Sequence, residues 1–196
     1  FDGIQTISFW LDVDDIGTGN VNILGLNNSE YIRINNGTLQ SNIDPSSTFY
    51  VNGVQGVTTI GSADRWYHIA ITTGTTADPG TAVNADNVQI GRLAATGATF
   101  SGAVDEVRLW NDIRTADEIL TNYKIGISNP FSDSNLKLYL RMNRGSGDII
   151  YDHSASMVHG SKTGAAWTNA SASWSATLGR EGETTWSGNN DVDDFH

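Results

Sequence analysis

Apolar and polar residues alternate with a period of two over much of the chain. In TISFWLDV (Thr6–Val13), Ile7, Phe9, Leu11 and Val13 fall on one face and Thr6, Ser8, Trp10 and Asp12 on the other, as in a strand with one buried side. LKLYLRMN (136–143) repeats the pattern, with Leu136, Leu138, Leu140 and Met142 against Lys137, Tyr139, Arg141 and Asn143. WYHIAITT (66–73) is apolar on both faces and reads as a more central strand. Shorter candidates are VNILGL (21–26), YIRI (31–34), TFYV (48–51) and NVQIG (87–91), separated by the turn pairs Asn36-Gly37, Asn52-Gly53 and Pro79-Gly80. One helix is predicted in TADEILTNY, where Thr115 and Glu118 have capping-box spacing and Ile119 and Tyr123 share a face. The pattern predicts an all-β fold, a sandwich or barrel of antiparallel strands with one short helix.

Composition narrows the functions. With 196 residues, a single domain with a sizeable core is expected. A formal charge of −11 argues against nucleic acid and anionic membrane and leaves cations and neutral ligands such as sugars. The absence of cysteine excludes disulfides and thiolate metal sites. No apolar run reaches the ~20 residues of a spanning helix, so no membrane insertion is expected. The start at Phe1 without a charged-then-apolar leader suggests a mature or excised segment. From about Thr177 the chain turns polar and Gly-rich, which reads as a tail or linker over 177–196.

SGAVDEVRLWNDIRTADEI (101–119) closely resembles the C-terminal signature of laminin-G-like domains of the concanavalin A-like lectin/glucanase superfamily. WYHIAITT resembles that family's Trp-x-His-apolar-Ala strand, QIGRL the strand before the signature, and FDGIQTISFWLDV its Phe-Asp-Gly plus strand opening. The resemblance spans roughly Phe1 to Trp167. It implies a two-sheet antiparallel jelly-roll sandwich over residues 1–176, with the helix after the signature strand. YLRMNRGSGDIIYDHSASMVHGSKTGAAW (139–167) resembles the family's opening yet comes after its closing signature. Residues 136–167 are therefore expected to close the same sandwich, the alternative being the start of a second repeat. TTGTTADPGTAVNAD (72–86) stands where the family has a YVNG hairpin, whereas YVNG itself occurs at 50–53.

Asp105 poses the sharpest chemical question. Strict alternation places it with Ala103, Val107 and Leu109, and a carboxylate on an apolar face must be compensated. Either backbone N–H groups or a buried arginine satisfy it, or it binds a structural Ca²⁺. The resemblance implies Asp152 and the carbonyl of Gly160 (or His159) as its co-ligands, with Asp2 a further candidate and Ala155 standing where the family has Gly. Glu106 and Arg108, two apart on one strand face, read as a surface ion pair. The acidic runs at 11–15 and 190–194 lack full calcium-loop spacing and read as solvated.

The hydrolase branch of the superfamily carries an E-x-D-x-x-E type motif, and none occurs here; REGE (180–183) lies in the polar tail. His68 reads as a core residue, and a zinc site from His153 and His159 lacks an identifiable third ligand. Among the six Trp, Trp10, Trp66, Trp110 and Trp167 are expected in the core or at its rim. Trp174 and Trp186 are the glycan-stacking candidates, or else pin the tail. The expected function is a non-catalytic glycan-binding or adhesion module of a secreted or cell-surface bacterial protein, with calcium as structural cofactor. Its partners would be a polysaccharide or glycoconjugate and other domains of a larger surface protein. The alternative is a structural spacer or protein-interaction domain without a glycan site, and a polysaccharide-active enzyme ranks third.

Overall fold

The computed structural model describes residues 1–16, 19–91 and 100–167. The expected tail at 177–196, with its acidic run and REGE, lies outside the described residues, as do Trp174 and Trp186. The strands are β1 (Thr6–Val13), β2 (Asn20–Gly25), β3 (Tyr31–Asn35), β4 (Thr38–Ser41), β5 (Thr48–Val51), β6 (Val54–Gln55) and β7 (Trp66–Thr72). They are followed by β8 (Gln89–Ile90), β9 (Gly102–Trp110), helix α1 (Ala116–Lys124), β10 (Leu136–Leu140), β11 (Ile149–Ile150) and β12 (Gly160–Ser161). A six-stranded antiparallel sheet, ordered β10-β9-β1-β7-β5-β6, faces a four-stranded one, ordered β4-β3-β2-β8. β11 and β12 form a separate hairpin.

The fold is an antiparallel β-sandwich, and the period-two pattern explains its core. Phe9, Leu11, Ile69, Ile71, Val107 and Leu109 from the large sheet meet Ile23, Leu24, Ile32, Ile34 and Leu39 from the small one in a single buried cluster. Asn36-Gly37 and Asn52-Gly53 make two-residue hairpin turns, with φ of 48° and 72° in the first and 51° and 77° in the second. YVNG thus serves the β5–β6 hairpin, while the 72–86 segment closes on itself through a Gly74–Pro79 bridge and pairs Val83 with Ile4.

β7 is buried along its whole length, and α1 covers its outer side at Ala70 and His68. The helix begins with the expected capping box, Thr115 and Glu118 each satisfying the other's backbone. Ile119 packs with Tyr50 and Ala70, and Tyr123 stacks on Trp10 at 5.4 Å between ring centroids. His68 is buried beside both, 5.4 Å from Trp10 and 5.5 Å from Tyr123. A nine-residue helix is marginal alone, so this packing is what holds it.

The signature strand departs from strict alternation. Ser8 of β1 pairs with Arg108 but Trp10 pairs with Asp105, so Glu106 and Val107 together oppose Phe9. Glu106 has φ 53° and is the extra residue of a β-bulge. The bulge shifts the alternation by one, which corrects the face assigned to Asp105. Val104 turns to the core opposite Leu11, and Asp105 lies on the outer side with Trp10.

Candidate functional site

Downstream of the bulge, β9 and β10 carry a buried polar cluster. Arg108 and Glu106 are 1% and 3% exposed, so the expected surface ion pair is instead an interior one. Arg108 Nη2 donates to Glu106 Oε2 and, at 3.2 Å, to Tyr139 Oη, while Nη1 donates to the Asn122 carbonyl at 3.0 Å. Tyr139 in turn donates to Glu106 Oε2 at 2.5 Å. Burial works against the Arg108 charge, but Tyr139 and Glu106 outweigh it and raise the guanidinium's pKa above its ordinary value. Burial pushes the Tyr139 phenol up, leaving it a neutral donor. The pair is interior for a simple reason. Alternation identifies the face these residues share, but it cannot show that α1 lies over that face.

Asp152 organises the segment after β10. It bridges to Leu140 at the sheet edge, and His153 N donates to the Tyr139 carbonyl at 2.8 Å. Its Oδ1 accepts from the backbone N of Tyr139 and of Ser154, both at 2.9 Å. Its Oδ2 accepts from Ser154 Oγ and Val158 N, also at 2.9 Å. A carboxylate offers about four acceptor sites, and donors fill all of them.

The expected calcium set therefore does not fit as placed. Asp152 is spent on its own turn, Gly160 pairs with Ile150 in the β11–β12 hairpin, and Asp105 Oδ1 accepts from Glu106 N at 2.9 Å. Asp2 is exposed, and His159 Nδ1 accepts from Asp152 N at 3.1 Å. Among the described residues no three His, Asp or Glu side chains are grouped to hold a metal.

The Asp152 turn and the β11–β12 hairpin instead shape a shallow cleft lined by Asn143, Arg144, Tyr151, His153 and Trp167 over Met142 and Ile150. Arg144 lies over the Tyr151 ring at 4.8 Å, and the Tyr151 and His159 rings are T-shaped with centroids 5.0 Å apart. Trp167 Nε1 donates to the Gly147 carbonyl at 2.7 Å, which fixes the half-exposed indole. The His153 and Tyr139 rings, 6.0 Å apart, join the cleft to the buried cluster beneath it. The cleft holds about 20 Å³, too small for a sugar ring, so a ligand would lie across its rim. No Asp or Glu is among the lining residues. The carboxyl pair of glycoside hydrolysis is therefore not supplied by them.

Two other surfaces compare poorly. A groove of about 360 Å³ along α1 is lined by Arg114, Asp117, Glu118, Thr121, Asn122, Ile127 and Asp133 and has no aromatic wall. Its arginine is already paired with Asp112, Glu118 and Asp133. On the small sheet, Arg33 also lies over a tyrosine, Tyr31 at 4.5 Å, but its Nε is given to Gln40 at 3.0 Å. Of the four family-like tryptophans, Trp10, Trp66 and Trp110 are buried and Trp167 is at the rim. Asn143, Arg144 and Tyr151 lie outside the sites expected from the sequence; their available signal is two arginines and two tyrosines spread over 139–151 of an acidic chain.

No family model matches the chain, and no curated protein matches it. Among solved structures it is similar to "a putative carbohydrate binding protein" from Bacteroides ovatus, with a TM-score of 0.59 and 19% identity over 81% of this chain. The chain spans about half (51%) of that protein's length. Likeness at that identity concerns the fold. Among the described residues, no helix is long and apolar enough to cross a membrane.

Proposed function

We propose that this chain is a non-catalytic glycan-binding module of laminin-G-like type, working outside the cell or on its surface. The observation that carries the reading is the cleft where half-exposed Trp167 stands beside Arg144, itself laid over Tyr151, with Asn143 and His153. Aromatic faces stack on pyranose rings while a few placed polar groups fix orientation. The carbohydrate-binding description of the Bacteroides ovatus structure points the same way. Affinity electrophoresis against a polysaccharide panel tests it. Retardation by a polysaccharide that Trp167→Ala abolishes, at unchanged melting temperature, is expected. No retardation by any polysaccharide would contradict it, and release of reducing sugar would make the module an enzyme.

A protein-interaction domain is the second reading. It is favoured by Val54 and Leu120, 57% and 39% exposed, on the adjoining β5–β6 hairpin and α1. A Cβ on Gly53, next to Val54, would fall 2.6 Å from Leu120 Cδ1, so the two elements touch there.

A further inference from the structure

We infer that the cleft selects an anionic sugar, a pyranose bearing a carboxylate or sulfate ester, with Arg144 as its anion-binding residue. This deepens the glycan reading and rests on it. Residues 136–167 hold four Lys and Arg against two Asp, a net +2 with His neutral, in a chain of −11. Asp152 is buried and filled by donors, and the exposed Asp148 pairs with Lys162 at 3.4 Å. Arg144 is exposed and has no ion pair among the described residues. Its Nε faces the Gly147 turn, 3.7 Å from where a Cβ on Gly147 would stand, and the carbonyl of that same glycine anchors Trp167. Gly147 can supply this turn because its φ is 75°. The guanidinium and the indole are thus set on one turn, a charge beside a stacking surface. Tyr151 beneath Arg144 limits the guanidinium's freedom, so less is lost when it binds a planar carboxylate through paired N–H groups. Arg114 and Arg108 differ because their carboxylate partners are built in, and Arg33 differs because Gln40 takes its Nε.

The test uses the full chain in native gels containing polygalacturonate, its methyl ester, alginate, chondroitin sulfate, neutral galactan and glucan, and polyglutamate. Retardation by an acidic polysaccharide is expected, weakened about tenfold or more by Arg144→Gln, as for a lost charge-assisted pair, with melting temperature unchanged. High salt weakens it too. Equal affinity of wild type and Arg144→Gln would overturn the inference. So would polyglutamate matching the best polysaccharide, which is plain polyanion attraction. Binding confined to neutral polymers and lost in Trp167→Ala overturns the anionic preference and keeps the glycan reading, whereas binding to nothing overturns both.

Discussion

Replacing Glu106 by Gln tests the buried cluster, because it removes a charge while keeping the side chain's shape. Arg108 is 1% exposed and would be left with only neutral acceptors, Tyr139 Oη at 3.2 Å and the Asn122 carbonyl at 3.0 Å. Arg141, whose Nε is 4.0 Å from Glu106 Oε1, would also lose its carboxylate neighbour. Breaking one side of a buried ion pair costs about 3–5 kcal/mol, whereas a solvated surface pair is worth about 0–1 kcal/mol. In a domain this size, each kcal/mol moves the melting point by about 2–4 °C, so a fall of about 6–20 °C is expected. Urea unfolding monitored by tryptophan fluorescence reads the change directly, since Trp10, Trp66 and Trp110 are buried in the native state. Replacing Glu106, Arg108 and Tyr139 together by Leu, Met and Phe is expected to restore part of the loss, because the Arg108 charge is then removed along with its partner, while Arg141 still loses Glu106. A loss below about 1 kcal/mol for Glu106→Gln would contradict a buried ion pair and return it to the surface.

Asp44 ties the 44–47 turn to the 73–81 loop through Thr81 N at 2.8 Å and Ser46 N at 2.7 Å, and Asp44→Ala is expected to cost about 2–3 kcal/mol in urea unfolding. The Thr81 backbone N–H, then Ser46, hold its carboxyl below the usual range, so its stabilisation is complete above the unfolded carboxylate value near ~3.9. It disappears as pH falls through the depressed native value, and the gap between wild type and Asp44→Ala should close only in that acid range. A gap independent of pH would contradict the assignment. Because Asp152 is filled by donors, EGTA should leave the melting temperature unchanged. A chelator-induced fall that Asp105→Ala abolishes would instead establish the calcium clasp expected from sequence.

Strand positions were legible because core-facing apolar residues recur every second position even where the other face is also buried: TISFWLDV is β1, with Ile7, Phe9, Leu11 and Val13 in the core, and TFYV is β5 residue for residue. The helix was legible because Thr115 and Glu118 are a local, sequence-encoded cap. The bulge at Glu106 was not, since one residue at φ 53° leaves the composition of the strand unchanged while moving Asp105 to the other face. The β11–β12 hairpin was equally hidden. Two residues a side are too few for a periodic signal, and it is held by Asp152 and its turn. The same reason hid the cleft. Tyr151, Arg144 and Trp167 come together through turns, whereas the motifs that stand out in the sequence specify the sheet beneath them.

The most direct test is an NMR titration of ¹⁵N-labelled protein with a short oligosaccharide from whichever polysaccharide retards it most. The Trp167 indole and the amides of Asn143, Arg144, Tyr151 and His153 are expected to shift together and saturate with one affinity. Shifts confined to Tyr31, Arg33 and Gln40 on the small sheet, or to the groove along α1, would contradict this.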